Sequence, residues 1–107
     1  MGVRLDKPWR ALDDLDALPG HMGVFELGNG TGEVIYVGFA GGRSRFGLRG
    51  EIAAAAAGLG EASRFRYEVT TAYLSRYREL LMAHQAVSGA LPAANGTVHG
   101  LGRLSPV

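Results

Sequence analysis

The chain has 107 residues, of which 47% are hydrophobic and 20% are charged. A chain of this length supports one compact domain, and its composition is that of a globular protein rather than a disordered one. No apolar stretch approaches the roughly 20 residues that cross a bilayer, no signal-like apolar block opens the sequence, and there is no cysteine. We therefore expect a soluble, cytoplasmic protein with a single domain over residues 1–107 and no membrane partner.

Arginine is concentrated in one part of the chain, although the formal net charge is only +1. Residues 43–78 contain seven arginines against three glutamates, and Lys7 is the only lysine of the sequence. The planar guanidinium group matches phosphate better than the ammonium group of lysine does. This pattern favours a phosphate-bearing partner, while an arginine-rich composition that simply solvates one face accounts for the same residues.

The spacing of apolar residues predicts three strands and three helical segments. An i, i+3 pattern favours a helical turn near the N-terminus, and alternating β-branched and aromatic residues favour strands. The glycine-rich turn Gly28–Gly32 joins two of these strands into a hairpin. The predicted elements are a helical turn at 9–18, strands at 23–27 and 34–39, a helix at about 48–57, a strand at 65–71 and a helix at 73–88.

This order of elements predicts an α+β fold: a small three-stranded antiparallel sheet, formed by the hairpin and the third strand and flanked by helices. The last helix carries two apolar stripes, one of which runs through Glu79, Met82, Ala83 and Ala86. Two stripes predict that this helix is covered on two sides. Residues 97–107 are expected to form a loose C-terminal tail.

The hairpin carries two motifs that together resemble the pair for which the GIY-YIG nuclease superfamily is named. Gly23-Val24-Phe25 is followed, after ten residues, by Tyr36-Val37-Gly38. The features that follow along the chain also have the family's order. They are an arginine in the next helix, a third strand, a helix with Glu79, and then a late proline and Asn95. The resemblance covers about residues 20–96 and implies a GIY-YIG-like fold that cleaves DNA phosphodiester bonds with the help of a metal ion.

The resemblance also implies roles for individual residues. Tyr36 matches the second motif's tyrosine, which serves proton transfer and positioning, and Glu79 matches the glutamate that holds one Mg²⁺ or Mn²⁺ ion. The phosphate-binding arginine is Arg49, which opens the helix, or alternatively Arg45. The residues expected to contact nucleic acid are Arg43, Arg45, Arg49 and Asn95.

Phe25 departs from the family at a catalytic position, because the first motif normally has a tyrosine there. Phenylalanine keeps the packing but loses the hydroxyl, and the loss of one acid–base group commonly lowers a rate about 10²–10⁴-fold. Structural interpretations also stay open for the other candidates. They are a half-buried strand aromatic for Tyr36, an i, i+3 surface pair with Arg76 for Glu79, an ordinary turn for Asn95, and a hydrogen-bonded core residue for His84.

These patterns predict a metal-dependent DNA endonuclease, with its catalytic competence left open by the missing hydroxyl. The alternatives are a catalytically inactive nucleic-acid-binding module and a protein-interaction domain that retains only the scaffold. A nuclease domain of this size usually depends on a targeting partner or a homodimer for specificity, so one of these is expected as well.

Overall fold

The structure, a computed structural model, describes residues 5–95 and is an α+β arrangement of four strands with helices. Its elements are β1 (Arg10–Ala11), a 3-10 helix (Leu12–Ala17), β2 (Gly23–Gly28), β3 (Val34–Ala40), α1 (Gly47–Ala57), β4 (Arg64–Val69) and α2 (Tyr73–Ser88). Within these residues, no helix combines the length and apolarity that crossing a bilayer would require. The tail predicted at 97–107 lies outside the described residues.

The strands form one antiparallel sheet in the order β1-β4-β2-β3. The predicted hairpin is confirmed, since β2 and β3 pair with Gly23 opposite Ala40 and Leu27 opposite Tyr36. β2 is also paired along its length with β4. The first motif therefore lies on an interior strand, whereas the second motif lies on β3 at an edge of the sheet.

Asn29 organises the turn of the hairpin. Its side-chain oxygen accepts hydrogen bonds from the backbone N–H of Thr31 at 3.1 Å and of Glu33 at 2.9 Å. Gly32 completes the turn at φ 84°, a conformation that a residue with a Cβ rarely adopts. The local sequence thus contains the groups that fix this turn, which is why the hairpin was predictable.

Two apolar cores lie on opposite faces of the sheet, because successive side chains of a strand point to opposite sides. Phe25 and Leu27 of β2 join Leu48 and Ile52 of α1 in one core. Val24 of β2 lies in the other core, whose remaining buried members are Leu5, Val37, Leu80 and Leu81. α1 and α2 therefore cover the two faces of the central strand, and both motifs lie between them.

A β-bulge in β3 places two consecutive residues, Ile35 and Tyr36, on the same side of the sheet. Leu27 pairs with Tyr36 but Gly28 pairs with Val34, which leaves Ile35 as an extra residue. Both Ile35 and Tyr36 consequently pack against the α1-side core. Tyr36 lies on the same side of the sheet as Phe25 because it is paired with Leu27, two residues further along β2.

The expected sheet of three strands was one strand short. Residues 9–18 were predicted as a helical turn, but Arg10–Ala11 form β1 and pair with Phe65 and Arg64 of β4. The remaining Leu12–Ala17 form a 3-10 helix. Leu12, Leu15 and Leu18 repeat every three residues, which aligns them on one side of a 3-10 helix and lets them pack against the α1-side core.

The helix predicted at 73–88 has those bounds, but its second apolar stripe is not covered. Met82 is 62% exposed and Ala86 is also exposed. Ala83, in contrast, is buried. In the described chain, α2 therefore packs mainly through the side that faces the sheet, and most of the stripe that contains Glu79 lies at the surface.

Candidate functional site

An open cleft of about 580 Å³ lies beside β3, the edge strand that carries the second motif. Tyr36 and Gly38 contribute from β3, Glu51 from α1 and Tyr77 from α2, and the loop after β3 contributes Arg43. This space, named the β3-edge cleft, combines hydroxyl, carboxylate and guanidinium groups. It is the place in the structure where the predicted site residues come closest to forming one site.

Phe25 and Tyr36, the two aromatic residues of the paired motifs, are in contact in this cleft. Their ring centroids lie 6.0 Å apart at an interplanar angle of 47°. Gly38 makes this possible, because a Cβ there would lie 2.7 Å from Cε1 of Phe25 and 2.9 Å from Cε2 of Tyr36. The glycine of the second motif therefore provides space for both rings.

Phe25 is nonetheless a core residue. Its side chain is 1% exposed and belongs to the α1-side core, and it lies opposite Gly38 on β3 and Tyr67 on β4. It has no group that can donate or accept a proton. Its position is that of a ring that fills the floor of the cleft.

We expect Phe25→Tyr to lower the free energy of unfolding by about 1–3 kcal/mol, because the added hydroxyl enters a packed interior without a partner. The variant should gain no metal-dependent cleavage of DNA. Thermal unfolding and a plasmid-nicking assay measure the two effects. Phe39→Tyr is the matched control, since Phe39 is only half-buried and its new hydroxyl can reach water. A Phe25→Tyr variant that keeps its stability and cleaves DNA would contradict this expectation.

The environment of Tyr36 keeps its hydroxyl protonated. Burial raises the pKa of Tyr36 above its ordinary value of 10.0, and the nearby Glu51 carboxylate raises it further. Burial also raises the pKa of Tyr77, with a smaller contribution from Tyr36. At neutral pH both hydroxyls can donate a hydrogen bond to a phosphate oxygen, but neither is prepared to act as a base.

These shifts predict a loss of stability at alkaline pH. The folded chain retains the Tyr36 and Tyr77 protons at pH values where the unfolded chain, with a tyrosine pKa near 10.0, has released them. Their contribution to stability is therefore complete below about pH 10 and is lost as the pH rises through the folded-state pKa. Urea unfolding between pH 8 and about 11 measures this loss. Tyr36→Phe should flatten the alkaline decline, and an unchanged decline would show that Tyr36 titrates normally.

Residues 41–49, which comprise the loop after β3 and the first residues of α1, are named the arginine loop. This segment presents three predicted nucleic-acid-binding residues to solvent. Arg43, Arg45 and Arg49 are all exposed, and none forms an ion pair with an acidic residue in the described chain. The loop backbone is fixed, since the N–H of Gly41 donates to Oγ of Ser44 at 3.0 Å. Arg43 lines the β3-edge cleft directly, while Arg45 and Arg49 extend the positive surface away from it.

Glu79, the predicted metal ligand, is not part of the cleft lining. Its side chain is 45% exposed and accepts a hydrogen bond from Nη1 of Arg76 at 2.7 Å. Arg76 also pairs with Glu68 of β4 at 3.2 Å. Glu68 lies opposite Val24 of the α2-side core, so this network is on the other face of the sheet from Tyr36. The geometry matches the i, i+3 surface pair that the sequence left open.

The residues present do not fit the expected metal centre. A guanidinium group already lies on the Glu79 carboxylate, so a cation there would have to displace it. Among the described residues, no three histidine, cysteine or acidic side chains form a group that could hold a metal ion. Glu51 is the carboxylate within the cleft, and a single carboxylate leaves most positions of an octahedral Mg²⁺ ion to water or substrate.

Asn95 is a buried structural residue. Its side-chain oxygen accepts a hydrogen bond from the Val37 N–H at 2.6 Å, and its amide nitrogen donates to the Val37 carbonyl at 2.9 Å. Asn95 therefore pairs with the free edge of β3 as a neighbouring strand would. It has no exposed amide atom with which to reach a nucleic acid.

A buried cluster that the sequence analysis did not identify lies on the α2 side of β2. The Glu26 side chain is 1% exposed. One oxygen of its carboxylate accepts a hydrogen bond from Nε of Arg66 at 2.7 Å, and the other oxygen lies 3.0 Å from Nε2 of His84. The guanidinium carbon of Arg66 lies over the Trp9 ring, 4.1 Å from the ring centroid. The structure confirms the interpretation of His84 as a hydrogen-bonded core residue.

A larger cleft of about 720 Å³ lies at the other end of the hairpin. The hairpin turn, the end of α1 and the segment after α2 form its walls, with Glu33, Leu59 and Pro92 among its residues. None of the residues predicted to act on DNA lines it. We therefore place the candidate site at the β3-edge cleft and the arginine loop, because most of the predicted site residues lie there even though this cleft is the smaller of the two.

Three cleft residues were missed by the sequence analysis: Ser44, Glu51 and Tyr77. Tyr77 lies in a helix whose apolar spacing favours burial of its aromatic residues, and Glu51 precedes an alanine run that offers it no partner. The arrangement Arg43-Ser44-Arg45-Phe46, an aromatic residue among arginines, was the available signal for this surface. Only the folding of α1 and α2 around the β3 edge brings Glu51 and Tyr77 together.

Comparison with known proteins assigns the chain to a family without assigning it an activity. No curated protein matches it. A family described as Domain of unknown function (DUF7508) matches residues 3–87, which include both motifs, the arginine loop and most of α2. The chain therefore belongs to the DUF7508 family of domains of unknown function.

Proposed function

We propose that this protein is a catalytically inactive, GIY-YIG-like module that binds nucleic acid through its phosphates. The observation that carries the proposal is the arginine loop, where Arg43, Arg45 and Arg49 are exposed beside the cleft without an acidic partner in the described chain. Arginine side chains that are not neutralised by the protein are available to a polyanion. The partner that this chemistry favours is DNA, in agreement with the resemblance of the paired motifs.

Two other arginines of the cluster are used within the protein, unlike those of the loop. Arg66 is paired with Glu26, and Arg76 is paired with Glu68 and Glu79. Within the arginine cluster of the sequence, Arg66 and Arg76 are thus paired with carboxylates on the α2 side, whereas the loop holds three exposed arginines close together in sequence and Arg78 is a single exposed arginine of α2. Arg43 of the loop lines the same cleft as Tyr36, whose protonated hydroxyl can donate a hydrogen bond to a phosphate oxygen.

Three features argue against phosphodiester hydrolysis at this site. Phe25 provides no hydroxyl, Tyr36 has a raised pKa that disfavours the basic form, and Glu79 is paired with Arg76 away from the cleft. A hydrolytic site requires an activated water and a group that stabilises the departing oxygen, held together around one phosphate. The expected catalytic set is divided between two faces of the sheet, which supports binding without cleavage.

The experiment that tests binding is a salt titration of affinity for a short fluorescent DNA duplex. Phosphate contacts release counterions, so the logarithm of affinity should fall linearly with the logarithm of salt concentration. Substituting Arg43, Arg45 or Arg49 by alanine should each weaken binding and reduce the slope by about 0.9 if that residue contacts a phosphate. Arg78→Ala is the matched control, because Arg78 is an exposed arginine of α2 outside the loop. The proposal fails if neither the duplex nor either of its single strands binds at low salt, and a protein-interaction domain would then be favoured.

The same samples, incubated with Mg²⁺ or Mn²⁺, test the absence of catalysis. We expect no cleavage of plasmid or duplex DNA, and the same metal response for the protein and its Glu79→Gln variant. Glutamine keeps the shape of the side chain but removes the charge that a hard cation requires. Metal-dependent cleavage that is lost in both Tyr36→Phe and Glu79→Gln would overturn the inactive assignment and favour the endonuclease.

A further inference from the structure

Phe46 is an aromatic side chain that the arginine loop exposes to solvent. It is 59% exposed and belongs to neither apolar core. The guanidinium carbon of Arg45 lies 5.9 Å from the centroid of the Phe46 ring, and Arg49 is exposed one turn further along α1. The loop thus offers one flat apolar face surrounded by positive charge.

The backbone that carries Phe46 is held in place at the start of α1. The N–H of Leu48 donates to the carbonyl of His21 at 2.9 Å, and Gly20 approaches so closely that a Cβ there would lie 3.1 Å from the Phe46 carbonyl oxygen. Gly47 adopts φ 61° against the same segment. The exposed ring therefore projects from a fixed position, which reduces the entropy lost when a ligand stacks on it.

We infer that Phe46 is a stacking platform for an unpaired base and that the arginine loop prefers single-stranded nucleic acid. This inference rests on the proposed function and names the class of ligand at the same site. Base faces are covered by their neighbours inside a duplex, whereas a single strand can turn a base onto an aromatic ring while arginines contact its phosphates. The guanidinium group of Arg45 lies over the ring, where its own flat face can extend the stacking surface or move aside for a base.

The positive charge of this surface and the small size of its apolar part favour a nucleic acid over a protein as its occupant. A protein partner would be expected to bury a contiguous apolar patch, and here one ring stands among three arginines. DNA and RNA single strands share the required chemistry. An RNA oligonucleotide and a DNA oligonucleotide of the same sequence distinguish these two sources.

The test compares the affinities of the full chain for a single-stranded DNA, the corresponding RNA and the DNA duplex at one salt concentration. We expect the single strands to bind more tightly than the duplex. Phe46→Ala should weaken single-strand binding by about tenfold or more and leave duplex binding little changed. Phe46→Tyr should retain the preference because it keeps an aromatic face, whereas Phe46→Leu should lose it. Met82→Ala removes a comparably exposed apolar side chain on α2 and serves as the control.

The outcomes separate this inference from the proposed function. Salt-sensitive binding that is equal for single strands and duplex, or a preference that Phe46→Ala does not change, overturns the stacking inference and leaves nucleic-acid binding intact. A protein that binds none of the three oligonucleotides overturns both. Tighter binding of the RNA than the DNA, still lost in Phe46→Leu, supports the platform and identifies RNA as its ligand.

Discussion

Glu26→Gln is expected to lower the free energy of unfolding by about 3–5 kcal/mol, which is a large fraction of the stability of a small domain. The Glu26 carboxylate is almost completely buried between Arg66, at 2.7 Å, and His84, at 3.0 Å. The substitution leaves the guanidinium group of Arg66 without its counter-charge. Because the Arg66 side chain is only 14% exposed, water cannot fully replace that carboxylate. Removing one partner of a buried ion pair is costly because the other charge stays in a medium that solvates it poorly.

Glu68→Gln provides the matched control for this prediction. Glu68 lies on the adjacent strand and also accepts hydrogen bonds from an arginine, but its side chain is partly exposed and Arg76 keeps Glu79 as a second partner. The same chemical change should therefore cost less than about 1 kcal/mol. Denaturant unfolding of both variants measures the difference. Equal effects at the two positions would show that Glu26 is effectively solvated.

The same cluster shows what a local pattern can and cannot predict about a strand. The alternation in β2 identified the strand but gave Glu26 no partner. In the structure, α1 and α2 cover both faces of β2, so that the polar position is also buried. Arg66 is the cross-strand neighbour of Glu26, and His84 is 58 residues away in sequence. Only the three-dimensional pairing could reveal them as partners.

The elements predicted most accurately were those determined by local groups. The hairpin depends on Asn29 and Gly32 within its own turn, and α2 ends at Gly89, which adopts φ 78°. β1 could not be predicted in the same way, because its two residues are defined by pairing with β4 more than fifty residues away. The leucine spacing that indicated a helical turn was real, but it belongs to the 3-10 helix that follows β1.

The candidate site was predictable in part, and its failures have a common physical origin. Phe25 and Tyr36 were expected on adjacent strands and are in contact, since strand register follows from the hairpin. Glu79 was predicted to be a site residue because it follows the other motif residues in the family's order, but that order does not specify the rotation of α2 about its axis. That rotation directs Tyr77 to the cleft and leaves Glu79 outside it, where it pairs with Arg76 of the same helix. A helix can therefore match a motif in order while presenting its key side chain elsewhere.

Asn95→Ala is expected to destabilise the protein by about 2 kcal/mol or more, because it removes both hydrogen bonds that the side chain makes to Val37. The N–H and carbonyl of Val37 would then lack their partner at the edge of β3. Asn29→Ala is a suitable control, since it also removes asparagine hydrogen bonds to the backbone but at an exposed turn. Its cost should be smaller, at about 1 kcal/mol. Thermal unfolding and hydrogen exchange of the Val37 amide measure the effect.

Asn95→Asp and a DNA-binding measurement distinguish this structural role from the nucleic-acid contact expected from the family resemblance. Aspartate can still accept from the Val37 N–H, but it places a second acceptor against the Val37 carbonyl and should also be destabilising. Because Val37 lies between Tyr36 and Gly38, the loss of Asn95 should loosen the wall of the cleft. We expect affinity for DNA to decrease only together with stability and with protection of the Val37 amide. An Asn95→Ala variant that keeps its unfolding temperature and amide protection but binds DNA more weakly would instead identify Asn95 as a direct contact.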